Sequence, residues 1–223
     1  MPAAAGAVAS GGGLADRLKT ETREAHTRAE RHPVQANLIR GIMSREAYAA
    51  YLWQLRHVWA ALDGALRREA LRDPRVDAML KPYHEHTPRV DADLRFYESV
   101  GAAAPAAARA PSEATKRFVN LVESSAQAGC PVLGIWYVLE GSANGGRFIA
   151  ASLAKAYGLT DGRGLATLDP HGELQRERWQ AWRSELGRQT FTPAEQDAVV
   201  AAASATFDAM YELMEDLVAA RVV

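Results

Sequence analysis

The sequence has a single cysteine, almost no net charge and no long apolar run. Cys130 alone cannot form an intrachain disulfide, and such a composition is typical of a reducing cytoplasm. A net charge of −1 gives no general attraction to nucleic acid or to an anionic membrane surface. No apolar stretch approaches the roughly 20 residues needed to cross a bilayer. We therefore expect a cytoplasmic protein that binds neither nucleic acid nor membrane.

The sequence also has hardly any stretch in which apolar and polar residues alternate, so it offers few candidate β-strands. Apolar residues recur instead every three or four positions, which is the period of an amphipathic helix. Helix starts are indicated at Ser44, Thr87-Pro88, Ser112, Asp169-Pro170 and Thr192-Pro193. These signals predict an all-α bundle of seven or eight helices.

The chain contains no internal repeat and no sign of a second domain. Its 223 residues can share one hydrophobic core. Residues 1–13 are rich in alanine and glycine and lack the basic flank and leucine-rich centre of a signal peptide. We predict a disordered tail over residues 1–13 and a single helical domain over residues 14–223.

A histidine lies in a row of charged residues within the first predicted helix. Lys19, Arg23, His26 and Glu30 follow one another at intervals of four, three and four residues, and therefore lie along one side of a helix. An imidazole is a common axial ligand of heme iron. A carboxylate one turn away can hold the proton of the other ring nitrogen, and cations further along can pair with the carboxylates of heme. The row is compatible with a heme site, although a solvated helix surface would show the same pattern.

Three glycines fall within six residues of a long apolar helical pattern that covers residues 131–157: Gly141, Gly145 and Gly146. Glycine inside a helix costs about 0.5–1 kcal/mol relative to alanine, so the cluster calls for an explanation. Gly141 and Gly145 share one face, where a flat ligand could touch the backbone directly. Ser142 adds a small polar group, and the glycines favour a kink. Close packing between two helices would explain the glycines equally well.

Two segments of the chain resemble signature sequences of the heme oxygenases. LKTETREAHTRAE (residues 18–30) resembles the proximal helix of that family, in which a threonine precedes the histidine by four residues. YVLEGSANGGR (residues 137–147) is similar to the distal helix, particularly in the bacterial branch that is associated with phytochromes. Trp182-Arg183-Ser184, followed by Thr192-Pro193, matches a later region in order and spacing. The resemblance runs from about Leu14 to the C-terminus.

The resemblance implies a role for each residue that matches a family motif. His26 would be the iron ligand and Glu30 its hydrogen-bond partner. The propionates of heme would pair with Lys19, Arg23 and Arg183, and Phe207 would be the aromatic residue that packs against the heme. The catalytic surface on the distal side of a glycine-kinked helix would comprise Gly141, Ser142, Gly145 and Gly146. Ser142 stands where the mammalian branch has an aspartate.

The resemblance also implies the reaction and its partners. Heme b would be both substrate and cofactor, without any other metal, and O2 would convert it to biliverdin with release of CO and ferrous iron. The sequence has no flavin or iron–sulfur motif, so a ferredoxin, a flavodoxin or a reductase would supply the electrons. Arg17 and Arg28, near the first helix, are a candidate docking surface for that donor. The phytochrome-associated branch implies a biliverdin-accepting bacteriophytochrome as a possible partner.

Other enzymes of the same fold class require particular residues at their active sites. Di-iron bundles use Glu-x-x-His pairs, and none of the six histidines has a glutamate three positions before it. Thiamin-degrading enzymes need a cysteine nucleophile, for which Cys130 is the candidate. His84-Glu85-His86 has no third ligand at a regular spacing and is predicted to be a polar loop. A heme carrier without catalytic activity and a thiamin-degrading enzyme stay open as alternatives.

Overall fold

The helix signals of the sequence recur in the structure, a computed structural model that describes residues 13–222. Those residues form ten α-helices and three short 3₁₀ turns, and contain no β-strand. The all-α prediction is confirmed, whereas the predicted number of seven or eight helices is too low. The helices are α1 (Leu14–Glu21), α2 (Arg23–Glu30), α3 (Pro33–Arg40), α4 (Arg45–Ala70), α5 (Pro74–Met79), α6 (Thr87–Ser99), α7 (Glu113–Gln127), α8 (Val132–Tyr157), α9 (Gln175–Arg188) and α10 (Pro193–Ala219).

The predicted tail at residues 1–13 lies outside the described residues except for Gly13, which precedes α1. None of the described helices combines the length and the apolar character needed to cross a membrane.

Side-chain caps fix several helix starts where the sequence predicted them. The Ser44 hydroxyl accepts a hydrogen bond from the Ala47 amide at 3.1 Å, which begins α4. The Thr192 hydroxyl accepts from the Glu195 amide at 3.2 Å, and the Glu195 carboxylate accepts from the Thr192 amide at 2.8 Å. Such reciprocal bonds satisfy amide groups that the first turn of a helix leaves unpaired. The predicted start of α10 is therefore confirmed.

Two predicted elements differ from the structure. The first helix was expected to be continuous, but it divides at Thr22, where φ is −93° and ψ is 0°. The Thr22 hydroxyl donates to the Leu18 carbonyl at 2.6 Å, the kind of local bond that competes with a regular helix. The helix expected from Asp169-Pro170 begins instead at Gln175. Gly172, with a φ of +54°, interrupts the backbone before it.

The core lies between α4, α7, α8 and α10, with α6 and α9 packed on its outside. Trp136 on α8, Tyr48 on α4 and Phe118 on α7 are fully buried in it. α10 packs against both α2 and α8. The long helix α10 therefore contacts both the helix that carries His26 and the helix that carries the glycines.

Candidate functional site

His26 lies on α2 with half of its side chain exposed to solvent. The ring of Phe207, on α10, packs against it edge to face, with 5.2 Å between the ring centroids. Phe207 is partly buried and packs against the edge of the core, which holds that ring in place. The imidazole is therefore supported on one side by an aromatic ring while it remains accessible to a ligand.

Glu30 is the polar partner of His26, but through a different ring nitrogen than expected. The sequence prediction pairs Glu30 with Nδ1 and leaves Nε2 for the iron. In the structure Nε2 itself lies 3.4 Å from the Oε1 atom of Glu30. The ring points along the helix toward a carboxylate one turn away, and both side chains are at least half exposed, which leaves them free to rotate.

The predicted row of cations is divided by the break at Thr22. Lys19 lies in the last turn of α1 and Arg23 in the first turn of α2, and both are exposed. Within residues 13–222 neither side chain forms an ion pair. Arg23 lines a surface groove of about 670 Å³ beside α2, together with Glu24, Thr27, Arg28, Arg31, His32, Pro33 and Tyr211. Arg23 thus borders a groove that neither Lys19 nor His26 lines.

Arg183 on α9 is brought to the same edge of the protein as α1. Its Nη2 atom lies 3.9 Å from the Oδ1 atom of Asp16, which precedes Lys19 by one helical turn. The Nε atom of Arg183 is buried and has no hydrogen-bond partner among the described residues. Two of the three cations predicted to bind propionates therefore lie on neighbouring helices.

The three glycines of α8 have different surroundings. Helical hydrogen bonding continues through all of them, so the expected kink stays a prediction. Gly145 is exposed, and an added Cβ atom there would meet nothing within 4 Å. At Gly141 the same atom would lie 3.0 Å from the Trp179 ring, and at Gly146 it would lie 2.3 Å from the Leu168 carbonyl oxygen. Gly146 thus serves close packing, and Gly145 is the glycine with an open backbone surface.

The small polar residues of α8 are already engaged within the protein. The Ser142 hydroxyl donates to the Leu139 carbonyl at 2.6 Å, although the residue is exposed. The Asn144 amide donates to the Gly141 carbonyl at 2.9 Å. In this arrangement Ser142 can accept a hydrogen bond from a bound water but does not offer its own proton.

A buried cluster that the sequence analysis missed lies beside the glycines. Glu140 accepts hydrogen bonds from His86 at 2.9 Å and from His171 at 2.6 Å, and each of these side chains is at most 2% exposed. The segment His84-Glu85-His86 is an irregular polar connection between α5 and α6, as predicted, but both of its histidines are buried. Glu140 is the one acidic residue of α8, within a mostly apolar stretch, and this was the sequence signal that could have revealed the cluster.

Electrostatics keep Glu140 ionised. Burial alone would raise the pKa of this carboxyl group, but the hydrogen bonds from His171 and His86 outweigh burial and hold its pKa well below the usual value. Burial lowers the pKa of the adjacent His84 to about 4, so that ring is neutral at pH 7. The cluster therefore contains a permanent negative charge inside the protein.

Sequence comparison identifies the family. The family model described as heme oxygenase matches residues 12–216. This chain belongs to the heme oxygenase family. Heme oxygenase 2 of Synechocystis sp. is 26% identical over 212 residues, which cover 92% of this chain and 82% of that protein. Heme oxygenase 1 of Bos taurus is 25% identical over 212 residues, covering 92% and 71%.

Solved structures share the fold. The crystal structure of heme oxygenase-2 from Synechocystis sp., in complex with heme and NO, has a TM-score of 0.82 at 23% identity, covering 92% of this chain and 85% of that one. The structure of heme oxygenase from Leptospira interrogans also has a TM-score of 0.82, at 20% identity, covering 92% and 100%. Degradation of heme to biliverdin is the function of this family. The predicted family and enzyme class are confirmed.

The thiamin-degrading alternative needs a reactive thiol, and Cys130 does not provide one. The side chain is buried, and burial raises the pKa of its thiol to about 11. A thiol acts as a nucleophile in its thiolate form, which is scarce at neutral pH with such a pKa. The structure therefore favours a packing role for Cys130.

Proposed function

We propose that this chain binds heme b through His26 and cleaves it to biliverdin, with release of CO and ferrous iron. The observation that carries this proposal is the half-exposed imidazole of His26, supported by Phe207, in a chain of the heme oxygenase family. An imidazole that is held on one side and open on the other fits an axial ligand. The site thus fits heme by the chemistry of its donor and by its accessibility.

The cations at the edge of the site would bind the heme propionates. Lys19 and Arg183 lie on the neighbouring helices α1 and α9. Among the described residues Lys19 forms no ion pair, and Arg183 has a long contact of 3.9 Å with the exposed Asp16. Charge-assisted hydrogen bonds to carboxylates are about twice as strong as neutral ones. We assign propionate binding to Lys19 and Arg183, with Arg23 as a third cation at the other side of the break in the first helix.

Heme supplies both the iron that activates O2 and the ring carbon that is oxidised. The protein contributes a surface on α8 where no side chain stands between the ring and the backbone, which we place at Gly145. Ser142 lies one turn earlier and would hold a water through its hydroxyl oxygen. Gly141 and Gly146 shape this surface by their packing against Trp179 and the Leu168 carbonyl.

An external protein would supply the electrons. Arg17 pairs with Glu21 and Asp197, and Arg28 pairs with Asp208, so the two arginines that the sequence suggested for docking are partly neutralised. Arg28 lines the groove beside α2 together with Arg23 and Arg31, and these last two form no ion pair among the described residues. We place the docking of an acidic ferredoxin, flavodoxin or reductase along this groove. Transfer of biliverdin to a bacteriophytochrome and a cytoplasmic location belong to the same proposal.

The test is a titration with hemin followed by turnover. Hemin is added to the full-length chain, then ascorbate in air, with catalase present so that free peroxide cannot attack the ring. We expect a Soret band that bleaches as a bile pigment forms, identified by absorbance and chromatography. A stable heme spectrum would indicate a carrier instead, and the absence of hemin uptake would overturn the proposal.

A further inference from the structure

Glu140 connects the glycine helix to two segments that are distant in sequence. Glu140 directly precedes Gly141 in the sequence. Its carboxylate accepts hydrogen bonds from His86 at the start of α6 and from His171 before α9. The His86 ring is stacked on Trp59, with 4.0 Å between the centroids. A carboxylate with side-chain exposure of 2% is costly to bury unless it is paired, so these bonds are needed for the fold.

Arg178 extends this network to α9. Its Nη1 atom lies 2.9 Å from the Nδ1 atom of His171. A guanidinium group can only donate, so Nδ1 accepts and the proton of the neutral His171 ring is on Nε2. That proton is donated to Glu140 at 2.6 Å. The negative Glu140 and the positive Arg178 are therefore joined through one imidazole whose two nitrogens are both engaged.

The contacts of Arg178 connect this network to the residues that follow it in α9. Its guanidinium lies 4.3 Å from the centre of the Tyr83 ring, a cation–π contact that fixes it from the other side. The next residue, Trp179, packs against Gly141, and its ring is stacked on Trp182. Arg183 follows directly and faces α1. Movement of Arg178 would therefore shift both the Trp179 ring over the glycines and the cation at the edge of the site.

We propose that Glu140 is a positioning residue that, through His171 and Arg178, holds α9 against the glycine helix and so places Arg183. Arg183 in turn fixes the in-plane rotation of the heme, and hence which meso carbon is cleaved. This inference rests on the proposed function, because it concerns the orientation of the same substrate.

The same three side chains could suggest a metal site, since ligand atoms of His86, Glu140 and His171 lie within 4.8 Å of one another. Two imidazoles and a carboxylate are common ligands of first-row transition metals. The hydrogen bond from Arg178 argues against it, because it places the His171 proton on Nε2, where a metal would have to bind. A divalent ion beside Arg178 would also leave an excess of positive charge in the interior. Metal binding is one of the results that the experiment described next distinguishes.

The test compares Glu140→Gln with Arg178→Ala and Arg178→Lys, and with a matched control. Gln keeps the size of Glu140 but replaces one of its two acceptor oxygens with a donor NH2 group and removes the charge that holds Arg178. Glu69→Gln is the control, because Glu69 is a similarly buried carboxylate, 3.0 Å from Arg72 at the end of α4. Arg178 is partly exposed, so its variants are expected to fold even if Glu140→Gln does not.

Three measurements are made on each variant. They are the indole N–H resonance of Trp179 in the heme-free protein, the heme-methyl resonances of the ferric cyanide complex, and the ratio of biliverdin isomers. We expect Glu140→Gln and Arg178→Ala to move all three, with a change of about tenfold in the isomer ratio when the charge-assisted contact is lost. Arg178→Lys should restore much of the wild-type pattern, and Glu69→Gln should retain it.

The Glu140→Gln/Arg178→Ala double variant should change the isomer ratio no more than either single variant, because both changes break one connection. Wild-type isomer ratios and Trp179 resonances in both single variants would overturn the proposal. Stoichiometric Zn²⁺ or Fe²⁺ in the purified wild type, lost in Glu140→Gln, would also overturn it. Failure of the wild type to bind hemin would instead contradict the proposed function, and the heme-free Trp179 resonance would still report on the link to α9.

Discussion

The Nε2 atom of His26 lies 3.4 Å from the Oε1 atom of Glu30, one helical turn further along α2. This nitrogen is the one that the heme oxygenase resemblance assigns to the iron, so Glu30 and heme compete for it. The competition is unequal, because an exposed ion pair contributes at most about 1 kcal/mol. A coordinate bond to iron exceeds that contribution, and the half-exposed ring can turn to form it.

Replacement of His26 by alanine is expected to abolish axial ligation. The Soret band of the ferric hemin complex should shift to that of an unligated or water-ligated heme, and biliverdin formation should fall by at least about a hundredfold, which corresponds to about 2.7 kcal/mol of lost stabilisation. Absorbance spectra and product analysis check this. His26→Gly with added imidazole should recover the wild-type spectrum, because the free ligand can occupy the vacated space.

Two matched variants separate ligation from general damage. His57→Ala removes another partly exposed histidine, one whose ring contacts the Arg109 carbonyl at 2.9 Å, and should leave the Soret band unchanged. Glu30→Ala should alter the hemin dissociation constant by less than about fivefold, in line with the small contribution of an exposed pair. A wild-type spectrum and full yield in His26→Ala would contradict the assignment of the ligand.

The fold was predictable where the sequence carries local chemistry. Ser44 and Thr192 cap helices where expected, because their hydroxyl groups satisfy amides three residues ahead. The break at Thr22 was not predictable from periodicity, since Thr22 itself is buried and continues the apolar stripe. The division depends on a bond between the Thr22 hydroxyl and the Leu18 carbonyl, which a helical pattern does not reveal.

The site was predictable where residues are close along the chain. The contact of His26 with Glu30 follows from helical spacing, whereas the Glu140 cluster joins positions that are 31 and 54 residues apart. No spacing rule links His86, Glu140 and His171, so the cluster emerges once the tertiary structure places them together. The difference between Gly145 and Gly146 also depends on the Leu168 carbonyl. Leu168 lies outside α8, and the tertiary fold brings its carbonyl close to Gly146.

The cations at the edge of the site should contribute unequally to heme orientation. Arg183 and Lys19 lie on adjacent helices, whereas Arg23 lines a different groove. We expect Arg183→Gln to change the ratio of biliverdin isomers more than Arg23→Gln does, and Lys19→Gln/Arg183→Gln to change it most. Arg188→Gln is the control, since Arg188 is an exposed residue of the same helix that pairs with Glu185 at 2.8 Å. Chromatography of the products checks this, and equal effects of Arg183→Gln and Arg188→Gln would argue against propionate binding by Arg183.

Alanine substitutions at Gly145 and Gly146 should separate function from stability within one helix. At Gly146 the new methyl group would lie 2.3 Å from the Leu168 carbonyl oxygen, a distance that forces backbone movement. Overpacking of this kind costs about 1–3 kcal/mol, so Gly146→Ala should lower the melting temperature. At Gly145 the methyl group meets no protein atom within 4 Å, and the higher helix propensity of alanine should stabilise the protein by about 0.5–1 kcal/mol.

Turnover should fall in Gly145→Ala, although this variant is the more stable one, if Gly145 provides the open surface above the heme ring. Gly145→Ala would place a methyl group where O2 and the ring need to approach the backbone, so turnover should fall by about tenfold, equivalent to 1.4 kcal/mol, in a more stable protein. Thermal unfolding followed by circular dichroism and initial rates of biliverdin formation are measured on the same preparations. A Gly145→Ala variant with both higher stability and wild-type turnover would place the heme away from Gly145, because a methyl group on the reacting face cannot be neutral to catalysis.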